Sequence, residues 1–151
     1  MTSFQTDVLA ELIRDKRACL VQLRDMGRRQ LELIDAGDLT ALLDLLSAKN
    51  APLLKLQQIE RALDPFRDQD PDQRPWRTPE DRGLCARQLQ ECEALLSEIV
   101  SQEKCCEGAL VRRRDEAATR LQGAHLADRA RGAYITEPHV PINQLDLLSD
   151  C

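Results

Sequence analysis

The clearest folding signal in this chain lies in residues 85–110, CARQLQECEALLSEIVSQEKCCEGAL. Apolar residues recur there in steps of three and four, with one interruption at Glu103. The repeat consists of Cys85, Leu89, Cys92, Leu96, Ile99, Cys106 and Leu110. This spacing places one narrow stripe along one side of an α-helix, as in a coiled-coil seam. The pattern predicts a long helix that presents this stripe to another helix.

The start of this helix is marked more clearly than its end. Thr78 is a candidate N-cap, Pro79 suits the first helical position, and carboxylates follow at once. After Leu110 the stripe fades through Ala117, Leu121 and Ala124. We predict a helix over about residues 78–130 that frays somewhere between residues 122 and 131.

Two earlier stretches carry the same helical period. The first predicts a helix over about residues 5–36, with Lys16 and Gln30 as weak points in its apolar stripe. The second predicts a helix over about residues 38–63, and Pro52 inside it predicts a kink near residues 47–51.

The step between these two helices is Gly37-Asp38. Gly37 suits a left-handed helix cap, and Asp38 suits the N-cap of the next helix. Such a step either turns the chain back on itself or caps and kinks one longer helix.

Residues 64–77 interrupt the pattern with three prolines and dense charge, which predicts a loop. Phe66 and Trp76 are the aromatic residues of this segment. We expect both rings to pin the loop against one end of the helices rather than to stack on a ligand.

These patterns predict an all-α fold, a long antiparallel helical hairpin or three-helix coiled-coil-like bundle. Aromatic residues make up only 3% of the chain, which suits helix seams better than packed sheets. We expect residues 1–130 to form a single helical domain and residues 131–151 to form a mobile tail.

Charge excludes one broad class of function. The net charge of −5 argues against general nucleic-acid binding, which needs a surplus of lysine and arginine. Arg112, Arg113 and Arg114 form the single basic cluster, and Asp115 and Glu116 follow directly. We interpret this run as a solvated helix face.

The N-terminus has neither the basic nor the continuous apolar region of a signal peptide, and no window is apolar enough for a transmembrane helix. We therefore expect a cytoplasmic protein whose six cysteines stay reduced. Cys85 and Cys92 lie seven residues apart, and Cys105 and Cys106 are adjacent, which are poor spacings for zinc ligands. We expect the cysteines to fill the seam without binding a metal.

Nothing in the sequence indicates catalysis. His125 and His139 stand apart from any nucleophile motif, and the six glycines are scattered singly rather than grouped in a phosphate loop. We predict a non-enzymatic protein without a cofactor.

Residues 36–49, AGDLTALLDLLSAK, and residues 53–60, LLKLQQIE, resemble the FlgN family of bacterial flagellar export chaperones. The order of parts is also similar: a leading helix, a Gly-Asp step, a leucine-rich helix around a lysine, a variable loop and a long last helix with a tail. The resemblance covers about residues 5–135. Pro52 and the long proline-rich loop depart from the family pattern.

The resemblance implies a chaperone that binds the C-terminal helical segments of the hook-associated proteins FlgK and FlgL. It would prevent their premature assembly and deliver them to the flagellar export apparatus. The resemblance places client contacts on the last helix and the tail, at Leu110, Leu121, Leu126 and Tyr134. The apolar pattern of the tail adds Leu145, Leu147 and Leu148.

The alternative is a structural coiled-coil scaffold that self-associates and has no client to release. A scaffold should keep a strong seam to the end of its last helix, whereas a client chaperone leaves a loosely occupied, alanine-rich surface there. The fading of the stripe after Leu110 favours the chaperone.

Overall fold

The computed structural model describes residues 4–135, and every regular element among them is helical. The predicted all-α fold is confirmed. Helix α1 spans Gln5–Ala36, α2 spans Leu39–Ala48, α3 spans Asn50–Arg67 and α4 spans Pro79–Ile135. One turn of 3-10 helix, Pro71–Gln73, interrupts the connection between α3 and α4. Residues 4–109 and residues 110–135 belong to two units, which we describe separately.

Helix α1 buries a regular heptad stripe in the first unit. Its inward positions advance in alternating steps of three and four: Thr6, Leu9, Ile13, Lys16, Leu20, Leu23, Gly27, Gln30 and Ile34. This alternation is the geometry of a coiled-coil seam. The predicted weak points, Lys16 and Gln30, are therefore buried members of the seam.

The Gly-Asp step reverses the chain. Gly37 adopts φ 71°, the left-handed region that favours glycine, and its N–H donates to the Ile34 carbonyl at 3.0 Å. The Asp38 carboxylate then accepts from the N–H of Ala41 at 3.1 Å and caps α2. Helices α2 and α3 consequently run back along α1.

The predicted kink lies at Lys49, where one leucine-rich stretch divides into α2 and α3. Pro52 stands in the first turn of α3, where its missing N–H leaves no bond broken inside the new helix. Its carbonyl accepts the Cys19 thiol at 2.9 Å. The break therefore packs against α1.

The loop begins later than predicted, because α3 continues through Pro65 to Arg67. Phe66 packs against the core, and Arg67 pairs with both Glu60 and Asp64, so this last turn is held from two sides. Trp76 is also half-buried against the core. The prediction that Phe66 and Trp76 pin the loop is confirmed.

Helix α4 runs parallel to α1 and antiparallel to α3. The Cys92 thiol faces the Ile13 carbonyl at 4.0 Å, and the Cys106 thiol faces the Gly27 carbonyl at the same distance. These contacts are 14 residues apart on both helices, so α1 and α4 are parallel and keep the same register between them.

The seam of α4 is rotated from the predicted one. The predicted stripe named Leu89, Leu96 and Leu110, but these side chains are exposed. The side chains that turn inward are Cys85, Gln88, Cys92, Leu95, Ile99, Gln102, Cys106 and Ala109. The heptad positions of the cysteines were correct. The intervening positions were wrong by one residue, because the structure turns Gln88 and Gln102 inward in place of Leu89 and Glu103 and so follows a three-four rather than a four-three spacing.

Two apolar clusters form the core, and a polar layer separates them along α1 and α4. The larger contains Leu9, Ile13, Cys19, Leu20, Leu23, Ile59, Leu63, Cys85, Cys92 and Leu95. The smaller contains Leu33, Ile34, Leu42, Cys106 and Ala109. In the polar layer, Lys49 Nζ contacts Gln30 Oε1 at 2.9 Å and Glu103 Oε1 at 2.5 Å. The layer therefore joins three helices.

The second unit continues α4 as residues 110–135, so the helix passes the predicted fraying region and ends later than residue 130. None of the side chains of residues 110–134 is buried. The expected tail from residue 136 onward lies outside the described residues.

Candidate partner-binding surfaces

The predicted client contacts on α4 are exposed. Leu121 is 72% exposed and Tyr134 is 91% exposed, while Leu110 and Leu126 are also exposed. Leu145, Leu147 and Leu148 lie outside the described residues. The assignment of all seven residues to client binding stays a prediction.

Helix geometry brings only some of these residues together. At about 100° per residue, Leu110 and Leu121 lie on one face, with Ala117 and Ala124 between and beside them. Leu126 is five residues from Leu121 and therefore lies about 140° around the helix. Tyr134 is displaced by a similar angle in the other direction. We call Leu110, Ala117, Leu121 and Ala124 the α4 distal face.

A second apolar surface lies on α2. Leu42 is buried, but Leu39 and Leu43 are 64% and 65% exposed, and Leu46 is exposed as well. Positions 39, 43 and 46 advance by four and three residues, so they share one side of the helix. We call these three residues the α2 leucine face.

The signal for the α2 leucine face is visible in the sequence. Five of the ten residues of α2, LTALLDLLSA, are leucines, and they extend around more of the helix than one contact can bury. Leu53 and Leu54 near the start of α3 are exposed too. Large exposed apolar patches mark interaction sites in folded proteins.

The two faces lie in segments of opposite charge. Residues 35–48 contain three carboxylates, Asp35, Asp38 and Asp44, and no basic residue. Residues 110–134 contain six arginines against three carboxylates. Arg114 and Arg120 of this segment make only exposed ion pairs, at 3.3 Å and 3.9 Å, with neighbours on their own helix. Exposed ion pairs of this kind contribute little stabilising free energy.

The thiols are placed for packing. Burial raises the pKa of the Cys19, Cys85, Cys92 and Cys106 thiols, which lowers their reactivity. Cys105 is exposed. Within residues 4–135, no group of three or more His, Cys, Asp or Glu side chains converges as a metal site would require.

A groove between the start of α1, the loop and the start of α4 contains polar groups that already bind each other. Thr6 Oγ1 donates to the Pro75 carbonyl at 2.6 Å. The Arg77 guanidinium donates to Asp7 Oδ2 at 2.8 Å and lies over the Phe4 ring, 4.7 Å from its centroid. These contacts close the loop onto α1 and lower the pKa of the Asp7 carboxyl, mainly through the hydrogen bond from Arg77.

No helix in the described part of the chain is long and apolar enough to cross a membrane. In comparisons with protein-family models, curated proteins and solved structures, no match to this chain was found. The resemblance to the FlgN family therefore stays a prediction that rests on the residues quoted above.

Proposed function

We propose that this protein is a cytoplasmic, non-enzymatic export chaperone of the FlgN type. Its clients are the C-terminal helical segments of hook-associated proteins of the FlgK and FlgL type. It covers these segments, prevents their premature assembly and releases them to the flagellar export apparatus. The observation that carries the proposal is the exposure of the α4 distal face, in a helical segment that buries none of its side chains.

The physical argument begins with the client. A subunit that polymerises through amphipathic helical ends must keep those ends covered, and an amphipathic partner helix covers them by offering its own apolar stripe. In residues 85–109 the stripe of α4 is occupied by α1 of the same chain. The part of α4 that remains available for a partner is therefore the distal part.

Release must be as easy as capture. The α4 distal face alternates leucine with alanine and contains no aromatic residue. Tight interfaces usually depend on buried aromatic or arginine anchors, whereas small aliphatic side chains contribute less binding free energy each. A surface of this composition suits a client that is held transiently.

Titration calorimetry with a peptide from the C-terminal helix of a hook-associated protein tests the proposal. We expect binding in the micromolar range or tighter, because several apolar anchors contribute. Leu110→Asp combined with Leu121→Asp should abolish binding, since both changes fall on one face. Leu126→Asp, on another side of the helix, should weaken it less.

Val8→Asp combined with Leu84→Asp is the matched control, because it places the same charges on two exposed apolar side chains away from the α4 distal face, and it should leave the affinity unchanged. Circular dichroism should show unchanged helix content for every variant. Equal affinity of the wild type and the Leu110, Leu121 variant would refute the site. No binding by the wild type would refute the chaperone proposal and favour the scaffold.

A further inference from the structure

The α2 leucine face has no partner among the described residues, although α2 is the most leucine-rich of the described helices. Leu42 alone turns fully into the core, where it joins Leu33, Ile34, Cys106 and Ala109. Leu39, Leu43 and Leu46 are not members of this cluster and are exposed. Leaving three leucines of one short helix in water forgoes apolar burial that a partner would supply.

The charge around this face specifies what kind of partner fits. Asp44 is the only charged residue within α2, and Asp38 caps its start. The nearest lysine along the chain, Lys49, is only 9% exposed and is paired with Glu103. The carboxylates around the α2 leucine face favour a partner helix that carries arginine or lysine beside its apolar stripe.

The chain itself contains such a helix. Residues 110–134 expose the α4 distal face, and their six arginines outnumber their three carboxylates. Arg114 lies about 40° from Leu110 around the helix axis, and Arg120 lies about 100° from Leu121 on the other side. One chain therefore presents two exposed apolar helix faces, one in an acidic segment and one in a basic segment.

We propose that the α2 leucine face of one copy binds the α4 distal face of a second copy. Two different faces meet in this contact, and exchange of both contacts between two copies gives a closed dimer with two-fold symmetry. The spacing fits: Ala117 lies between Leu110 and Leu121 and leaves a hollow in which a leucine from α2 can pack as a knob. The arginines of one copy then lie near Asp38 and Asp44 of the other.

Sedimentation velocity of the full chain tests the proposal without any added ligand. We expect concentration-dependent association between about 1 and 100 µM, the range of a small helix-helix contact. Leu39→Gln combined with Leu43→Gln should raise the dissociation constant about tenfold or more, because two apolar anchors are lost. The control is Val8→Gln combined with Leu84→Gln, which removes two comparably exposed apolar side chains elsewhere and should leave association unchanged.

Salt should weaken the association as well. Raising the ionic strength from about 0.05 M to about 0.5 M screens the attraction between exposed arginines and carboxylates, so the dissociation constant should rise severalfold. A monomer at every concentration would overturn the proposal. Equal association of the Leu39, Leu43 variant and the wild type would overturn it too, as would association that does not weaken with salt.

A mixing experiment distinguishes pairing of the α2 leucine face with the α4 distal face from pairing of identical faces. One variant carries Leu39→Gln and Leu43→Gln, and the other carries Leu110→Gln and Leu121→Gln. Each should be mostly monomeric alone, whereas the mixture should form a mixed dimer through the one intact pair of faces. Failure of the mixture to associate would refute pairing of the α2 leucine face with the α4 distal face. No client is present, so this failure is independent of the calorimetric test of the chaperone proposal.

Discussion

The ammonium nitrogen of Lys49 lies 2.5 Å from Oε1 of Glu103, so the break between α2 and α3 is tied directly to the middle of α4. The same nitrogen donates to Gln30 Oε1 at 2.9 Å, which brings α1 into the contact. Lys49 and Gln30 are buried, whereas Glu103 is exposed. The polar layer therefore restricts how the helices can shift along one another, because a shift leaves a buried polar group without its partner.

Lys49→Met should lower the free energy of unfolding by about 1–3 kcal/mol, because it leaves the buried Gln30 carbonyl without a donor. Urea denaturation provides the measurement. Lys55→Met, at an exposed position of α3, is the control and should change stability by less than about 0.5 kcal/mol. The double change Lys49→Met with Gln30→Met should recover part of the loss, since both partners then become apolar. Equal stability of the Lys49 and Lys55 variants would refute a stabilising polar layer.

Gln102 of α4 packs directly against Gly27 of α1. A Cβ at this position would lie 2.3 Å from Gln102 Oε1, and the amide of Gln102 donates to the Arg24 carbonyl at 3.1 Å. Gly27→Ala must therefore displace the end of the Gln102 side chain and disturb that bond, which offsets the gain in helix propensity by up to about 1 kcal/mol.

The comparison is with Gly83→Ala, which meets no atom within 4 Å and should stabilise by up to about 1 kcal/mol. Thermal and urea unfolding of both variants measure the difference. The double change Gly27→Ala with Gln102→Ala should move toward the stability of the Gly83 variant. An equal gain from Gly27→Ala and Gly83→Ala would contradict close packing of α1 on α4.

Acid should remove the stabilisation contributed by Glu60. Burial raises the pKa of this carboxyl, but the neighbouring Lys16 and Arg67 outweigh burial and hold the pKa below its usual 4.5. The folded state thus prefers the ionised form, so the stabilisation is fully present above the unfolded pKa and is lost as the pH falls through the lower folded pKa.

Urea unfolding of the wild type and Glu60→Gln between about pH 7 and pH 3 tests this sign. The variant should be less stable near neutral pH by about 1 kcal/mol, a value typical of a partly exposed ion pair. The difference should shrink below about pH 4.5, because the wild-type carboxyl then becomes protonated. A difference that stays constant with pH would show that Glu60 acts through packing alone.

Among the five cysteines that lie in the described residues, Cys105 should react first with a thiol reagent. Cys105 is exposed, whereas burial raises the pKa of the neighbouring Cys106 thiol. Mass spectrometry after timed alkylation of the native protein measures the order of labelling. We expect Cys92→Ala to lower the free energy of unfolding by about 1–2 kcal/mol through loss of packing, and Cys105→Ala to be nearly neutral. Faster labelling of Cys92 than of Cys105 would contradict the packing described for α4.

The sequence by itself determined the helices, because apolar periodicity and chain breaks are local properties. The span predicted for the first helix, residues 5–36, is the observed span of α1. The predicted breaks at Gly37-Asp38, near Lys49 and in the loop also separate helices in the structure. The predicted ends of α3, before Pro65, and of α4, near residue 130, were both too early. Packing of Phe66 and ion pairs of Arg67 extend α3 past a residue that usually ends helices.

Only the tertiary structure decided which side of α4 faces inward. In the neighbouring pairs Gln88–Leu89 and Gln102–Glu103, sequence reasoning placed the second residue in the repeat. The structure turns the glutamine inward, where it is partly buried. The glutamine at 102 is acceptable inside because the Arg24 carbonyl on α1 accepts from it. Lys16 is likewise acceptable because Glu60 on α3 pairs with it at 2.7 Å. These partners come from distant parts of the chain, so local periodicity cannot predict them. For the same reason it could not predict which leucines of α2 remain exposed.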